Sequence, residues 1–460
     1  MPFKKNIFFY LIISITLFSS CDKNEDILDD DIIVKNEDSF SLDRTILVYM
    51  NADNSLSSFT GDDINDMKTA LAENPSNLNL LVYEDKDSQS YLWRIYLNDK
   101  GEIQQTVIRP YKDKNASDPE WMTSVISEAF AMFPAEEKGL VLWSHGTAWL
   151  PASNYQTSTN ATFINTDFLN TKSVEQSFIS FSPIKTNVSD ISDSKNITVN
   201  PSEDAFSIIS VEDNQEEFSF NNDDSRLSDV PVLFSFGDDK RREMNIWELR
   251  ESLENTGLYF DFIAFDACFM ASVEVAYELR NLTGDIMASV TEILGEGYPY
   301  LSIVSLWTKP ELSVENMCKA YFDFYSNNGS KSYGSISHIK TSELENIAEK
   351  YSSIIKNSSP LNNVYIDSIQ SYGRTRTGFG NLFFDMAEVI KYKDFMSFES
   401  FNDALLEAIP YKNSTPYFVE KKINLDAYSG ISVFIPEFSS RLIYHDAYKN
   451  LQWYKKVYLD

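Results

Sequence analysis

At 460 residues, with 43% hydrophobic and 14% aromatic side chains, the chain can bury a sizeable core in one large or two ordinary domains. Acidic residues outnumber basic ones by 69 to 39, a formal net charge of −30. Nucleic acid and anionic membrane surfaces would repel such a chain, so both are excluded as partners; the charge mainly favours solubility, with an attraction for basic substrates as a lesser consequence.

Lys4 and Lys5 precede an apolar run from Ile7 to Phe18. The run is too short for a permanent membrane span but has the length of a secretory signal. It ends in "LFSSC", which puts Cys21 where a bacterial lipoprotein carries its lipidated cysteine. The following "CDKNEDILDDD" resembles the acidic export signals of some Gram-negative surface lipoproteins. The expected order is a signal peptide over 1–20, removed in the mature protein, and an acidic, solvated tether over 21–42. Acyl chains on Cys21 would anchor the protein in a bacterial cell envelope, at the outer membrane or cell surface. The alternative is an ordinary cleaved signal with a chance cysteine.

Beyond the tether, short β-rich runs follow one another: "TILVYMNAD", "LNLLVYED", "YLWRIYL", "QTVIRPY", "GLVLWSH", "DFIAFDA", "DIMASVTE", "YGSISHI" and "GISVFIP". Helical periodicity separates several of them. "SDPEWMTSVISEAFAMF" opens with Ser117 or Asp118 as cap, Pro119 in the first turn and Glu120 behind it, a helix-start signature. Further helices are expected within Asn245 to Leu253 and over "CFMASVEVAYELR", starting near Cys268. Apolar strands alternating with helices predict an α/β fold with a largely parallel central sheet covered on both faces. From about 154 to 229 the chain is crowded with Ser, Thr, Asn and Asp and has no glycine, and reads as a polar insertion, mostly loop, with an added β-hairpin as the minor reading.

In open α/β sheets, sites lie outside the carboxyl ends of the strands. Two strand ends stand out. "GLVLWSHG" delivers His145 to a tip followed by Gly146, where a substrate can approach the backbone. In "DFIAFDAC" the period of two puts Phe262, Ala264, Asp266 and Cys268 nominally on one side, up to a helix expected to begin near Cys268. A helix N-terminus favours a thiolate, and a histidine on a neighbouring tip could exchange its proton. Against this stands the plainer reading that Cys268 is a buried hydrophobe and His145 a packing residue. His338, within a strand, and His445, in an exposed helix, make poorer bases. There is no HExxH, no CxxC and no Gly-rich phosphate loop after the first strand, so metal and nucleotide sites lack a motif. Cys318 falls on the apolar face of the helix "SVENMCKAYFDFY"; a Cys268–Cys318 disulfide is the minor reading.

Five blocks in order, "TILVYMNADNSLSSFTGDDINDM", "LVLWSHGTAWLP", "SFGDDKRREMNIWELRESL", "DFIAFDACFMASVEVAYELRN" and "DIMASVTEILGEGYPY", resemble the clostripain family of cysteine endopeptidases, whose fold is related to caspases, gingipains and legumains. The resemblance implies a caspase-like catalytic region over 43–300, with 301–460 packed on the same sheet, and a monomer acting on a protein or peptide substrate. His145 matches the family's catalytic histidine and Cys268 its nucleophile; the N–H groups of Gly146 and Cys268 would form the oxyanion hole. Asp266 matches the S1 acid that favours Arg or Lys at P1, its charge expected to be paired only when a cationic side chain enters. The residues alone also allow Asp266 to bond local backbone N–H groups.

The chain departs from the family pattern in "EILGEGYPY", where well-known members carry a Glu-Pro-Gly-type loop with tryptophan, and in the long insertion. Members often mature by self-cleavage between the histidine and the cysteine, for which Lys185, Lys195, Arg226 or the "KRR" run at Lys240 to Arg242 would offer sites; for "KRR" a solvated turn before the next helix is the favoured reading. Some members need calcium, but no spacing such as DxDxDG is present, so no cofactor is expected. Two other roles on the same fold are a catalytically silent lipoprotein that binds proteins and an adhesin acting through the insertion.

Overall fold

The computed structural model describes residues 43–152 and 235–460 apart from short stretches at 87–88, 113, 241, 362–364, 366, 374–381, 420 and 440–441. The expected signal peptide, Cys21, the acidic tether and the 154–229 insertion lie outside the described residues.

The first strands are β1 (Arg44–Asn51), β2 (Leu78–Lys86), β3 (Gln89–Leu97), β4 (Ile103–Lys112) and β5 (Glu137–Trp143). A short hairpin of β6 (Phe236–Asp239) and β7 (Arg242–Met244) follows, then β8 (Phe260–Asp266), β9 (Thr283–Ala288), β10 (Ser335–Lys340), β11 (Phe384–Asp385), β12 (Tyr411–Ser414) and β13 (Ser432–Val433). Nine of them form one sheet in the order β12-β10-β9-β8-β5-β1-β2-β3-β4. Its middle is parallel, from β2 through β1, β5 and β8 to β9, and antiparallel strands close both edges. Strands β10 and β12 carry the chain beyond residue 301 into the same sheet.

The central strands are apolar on both sides because helices cover both faces. In β1, Leu47 and Tyr49 point into one core and Ile46, Val48 and Met50 into the other. The first core lies under α2 (Pro119–Met132), α3 (Ile246–Asn255), α4 (Val273–Leu279) and α7 (Leu344–Asn357). The second lies under α1 (Thr60–Glu73), α5 (Tyr300–Trp307) and α6 (Val314–Ser326). Asp118 is the cap of α2 and accepts from the Trp121 N–H at 2.9 Å. Asn245 and Glu248 form a reciprocal capping box on α3. Cys318 is fully buried in the second core, and both Cys268 and Cys318 are free thiols.

Three expectations change. The helix after β8 starts at Val273, capped by Ser272, and not near Cys268. The segment "GISVFIP" gives only the two-residue β13, paired with β11 outside the main sheet. His445 is half-buried, its Nε2 2.7 Å from the Ser439 carbonyl oxygen.

Candidate active site

The strand order reverses between β1 and β5, since β1 leads to β2 on one side while β5 and β8 extend the other. Such a switch point opens a crevice at the carboxyl ends of the strands. Register fixes what stands there. Met50 of β1 pairs with Trp143 of β5, and Trp143 pairs with Asp266 of β8. Two residues beyond that level come His145 and Cys268, on adjacent parallel strands.

His145 is fixed by its own backbone and by the loop after β1. Its carbonyl accepts from the Gly237 N–H at 3.0 Å, and Thr147 N–H donates to the Ser235 carbonyl at 3.3 Å. These two bonds make the bridge between Gly146 and Phe236 without using the Gly146 N–H. Just before, the Ser144 N–H reaches the Asp266 carbonyl at 3.3 Å and its hydroxyl the Asn51 carbonyl at 2.8 Å. The imidazole Nε2 lies 2.9 Å from the Ser55 hydroxyl. The ring keeps some exposure, yet the protein packed round it displaces enough water to push its pKa down to about 4. At neutral pH it is therefore an uncharged base.

Gly146 has no room for a side chain. A Cβ there would sit 2.9 Å from Met270 Sδ, 3.0 Å from the Cys268 carbonyl oxygen and 3.1 Å from Ala267 Cβ. The absent side chain is what lets the His145 and Cys268 tips close on each other.

Cys268 lies in a turn, and Phe269 after it adopts a left-handed φ of 65°. That conformation is costly for a non-glycine residue and survives only where its surroundings hold it. Here Phe269 N–H bonds the Thr291 carbonyl at 2.9 Å, Ala271 N–H the Ser289 carbonyl at 2.9 Å, and the Phe269 ring stacks on Phe383 at 4.9 Å. The thiol is half-buried; the Ile293 N–H approaches Sγ at 3.3 Å and the Ile293 carbonyl lies 3.7 Å away. Because α4 begins five residues later, no helix N-terminus faces the sulfur, and the backbone donor of Ile293 takes that place.

Asp266 differs from expectation too. Its side chain is 5% exposed, on the face of the second core, while Cys268 packs against the first. The carboxylate Oδ2 accepts from the Tyr298 N–H and the Tyr300 hydroxyl, both at 2.9 Å. Neutral donors thus already hold the carboxylate before any cation enters. The loop carrying "EILGEGYPY" folds over it: Gly297, at φ 62°, comes so close that a Cβ would lie 2.8 Å from Oδ2. The Tyr325 hydroxyl donates to the Gly297 carbonyl at 2.6 Å, and Glu296 pairs with Lys331.

Desolvation pushes Asp266 up to about 7, the two donors opposing the shift. A second acid stands near. Asp63 of α1 accepts from the Trp143 indole N–H at 2.9 Å and is pushed up to about 9 by burial and then by the charge of Asp266. Neither Asp63 nor Ser55 stands out in the sequence as a candidate site residue. Neither has a local signal, since each acquires its partner from a strand end some 80 or 90 residues on.

The other sequence candidates fall elsewhere. His338 sits in β10 with Nε2 2.6 Å from Asp285 Oδ1, well outside this cluster. "KRR" opens as the turn of the β6–β7 hairpin, with Lys240 paired to Asp53 at 2.6 Å, the solvated-turn reading. Among the described residues no group of three or more His, Cys, Asp or Glu is arranged to hold a metal ion.

A half-buried thiol and an uncharged imidazole at neighbouring strand ends are the pair of groups that cysteine-type hydrolysis uses. The clostripain family model matches residues 48–186 and 222–460, and the chain belongs to this family of cysteine peptidases. Among solved structures, it is similar to a secreted C11 cysteine protease from Bacteroides thetaiotaomicron, iotapain, at 19% identity and TM-score 0.68, over 90% of this chain and 99% of that one. An inactive zymogen C11 protease from Parabacteroides distasonis matches at 24% identity and TM-score 0.64, over 90% and 98%. A secreted C11 cysteine protease from Bacteroides thetaiotaomicron, in complex with an irreversible peptide inhibitor, matches at 26% and 0.64 over the same shares. No curated protein gives a significant match. The fold is thus that of the caspase-like C11 proteases, a large and mostly parallel sheet between helices, and the chain is a cysteine-type peptidase.

Proposed function

We propose that the chain is an endopeptidase whose dyad is Cys268 and His145, with a preference for Arg or Lys at P1. The observation that carries this is the register of β5 and β8, in which Trp143 pairs with Asp266, so that His145 and Cys268, each two residues on, come to neighbouring strand ends with no room for a side chain at Gly146. The Cys268 thiol passes its proton to the neutral His145, and the sulfur attacks the scissile carbonyl to form the S–C bond. The N–H groups of Gly146 and Cys268 receive the developing oxyanion. His145 returns the proton to the leaving amine as the C–N bond breaks, and water then hydrolyses the thioester.

Asp266 supports the P1 preference as a buried carboxyl two residues before the nucleophile. A neutral P1 side chain would leave it desolvated, and an arginine or lysine would neutralise it. Because it sits at about 7, the preference for basic P1 strengthens as pH rises through neutrality, when Asp266 ionises. Access requires the loop over Gly297 to shift, which breaks ties such as the Tyr325 hydroxyl to the Gly297 carbonyl.

We assign the mature chain to the bacterial cell envelope, held by acyl chains on Cys21. Metabolic labelling with a fatty-acid analogue checks this: label should enter the wild type and be absent from Cys21→Ala. Activity is tested on the chain from residue 22 with fluorogenic peptides varied only at P1, Cys268→Ala alongside, with and without calcium. Cleavage after Arg or Lys that vanishes in the variant supports dyad and pocket. Cysteine-dependent cleavage after other residues keeps the dyad and removes the pocket role of Asp266. Cleavage that persists undiminished in Cys268→Ala removes the dyad.

A further inference from the structure

Outside the strand tips, the Ser55 hydroxyl lies 2.9 Å from the His145 Nε2. It belongs to the loop between β1 and α1, and that loop is anchored on both sides of it. The Asn54 amide donates to the Asn51 carbonyl at 2.9 Å and to the Asp238 carbonyl at 2.7 Å, while its Oδ1 accepts from the Leu56 N–H at 2.8 Å. Asp53 pairs with Lys240, and the Lys240 N–H bonds the Asp53 carbonyl at 3.2 Å. Ser57 and Phe59 close turns onto Asn54 and Leu56. The hydroxyl is thereby presented to the imidazole by a fixed backbone.

We propose that Ser55 is a positioning residue that selects the tautomer of His145. The inference rests on the dyad reading above. An imidazole needs one nitrogen bearing a lone pair to take the proton from Cys268, and which nitrogen that is depends on the bond made by the other. When Ser55 accepts from Nε2–H, the lone pair lies on Nδ1. The same bond persists when Nδ1 gains the proton, because Nε2–H is present in both states. A hydroxyl adds no charge, so it holds the ring without turning it into a permanent cation. Ser55 itself is exposed, and its own hydrogen can go to water. Proton exchange with the thiol and with the leaving amine then runs through Nδ1, and Nε2 is the tether.

The test compares Ser55→Ala and Ser55→Thr with the wild type in the chain from residue 22. Removing the hydroxyl should lower kcat about ten- to hundredfold, the weight of a hydrogen bond to a charged group, with KM and P1 preference little changed. Threonine should restore most of it. A second readout does not depend on turnover: the chain has three histidines, so the 15N ring signals of His145 can be identified by their loss in His145→Ala. In Ser55→Ala these signals should move from one tautomer towards a mixture. The proposal is overturned if kcat and the His145 ring shifts match the wild type, or if threonine fails to restore either while the melting temperature is unchanged. Should the wild type cleave no peptide, the dyad reading fails separately, and the ring shifts alone decide for or against Ser55.

Discussion

Asp266 and Cys268 stand two positions apart at the tip of β8, and the protein treats them in opposite ways. Asp266 is still in register with β5 and obeys the strand's alternation, so its carboxyl goes to the face of α1 and α5, among aromatic residues. Cys268 has left the ladder and packs against the other core, half-exposed. The difference is made by the turn: the left-handed Phe269, pinned by Thr291 and Phe383, ends the period of two that the sequence pattern would carry forward. The tip therefore separates a dry, ionisable carboxyl from a half-exposed thiol, the proposed nucleophile, and one loop, residues 293–300, touches both.

That separation is most severely broken by filling the gap between the tips. In Gly146→Ala the new methyl would meet backbone and side-chain atoms of 267–270, so either the His145 or the Cys268 tip must shift. Displacement of about 1 Å at reacting groups costs on the order of a hundredfold in rate. Peptidase activity should fall by at least that much while the far-UV spectrum is retained; wild-type rates would show that the tips can give way. Next in size is Asp266→Asn, which keeps the shape and removes the ionisable group. The ratio of kcat/KM for Arg over a neutral P1 should drop by about tenfold or more, with residual cleavage still blocked by Cys268→Ala. A ratio equal to the wild type's would leave Asp266 a purely structural acid.

Much of this arrangement was legible in the chain, and the reason is physical. Parallel strands buried on both faces are continuous apolar runs, so β1, β2, β5, β8 and β9 announce themselves, and a histidine or aspartate ending such a run marks a site. The start of α4 was legible as well, in Ser272 before "VEVAYEL", but the apolar spacing from Cys268 onward concealed it. What could not be read were the contacts made by folding. Ser55 lies in a loop rich in Ser and Asn, where any of several side chains could face the histidine. Asp63 is one of several acids at the start of α1, and only the tertiary approach of Trp143 distinguishes it. β13 failed because "GISVFIP" is apolar enough for a central strand while only two of its residues find a partner.

A smaller effect sharpens the pocket side. The Tyr300 hydroxyl donates to the Asp266 carboxylate and favours its charged form. Tyr300→Phe removes that donor, so Asp266 should titrate above its present value of about 7. The pH at which cleavage after Arg reaches half its maximum should move upward, with a few-fold loss at neutral pH and little change for a neutral P1. A downward movement would mean that the hydroxyl is not a net stabiliser of the charge.

The smallest effect on activity, and the clearest on stability, belongs to Asp63. Its folded pKa is raised from 3.8 to about 9. Between those values the folded protein keeps a proton that the unfolded chain has released, so stability falls as pH rises across the window, at up to about 1.4 kcal/mol per pH unit. His145 works the other way between about 4 and its ordinary 6.5, where the unfolded chain binds the extra proton and stability rises with pH. That contribution is common to wild type and variant and cancels in their difference. Asn at position 63 retains an acceptor for the Trp143 indole and has nothing to ionise. The melting temperature of Asp63→Asn should therefore be close to that of the wild type near pH 4 and exceed it progressively up to about pH 9. Melting curves that stay parallel over this range would mean that Asp63 ionises freely in the fold. Cleavage after Arg should survive the substitution, because the acid aligned with the nucleophile is Asp266 and Asp63 is already neutral where the enzyme is assayed. If the preference is lost as well, the pocket's charge belongs to the two carboxyls together, and the division between the dry side of the tip and the reactive side runs through α1 rather than along β8.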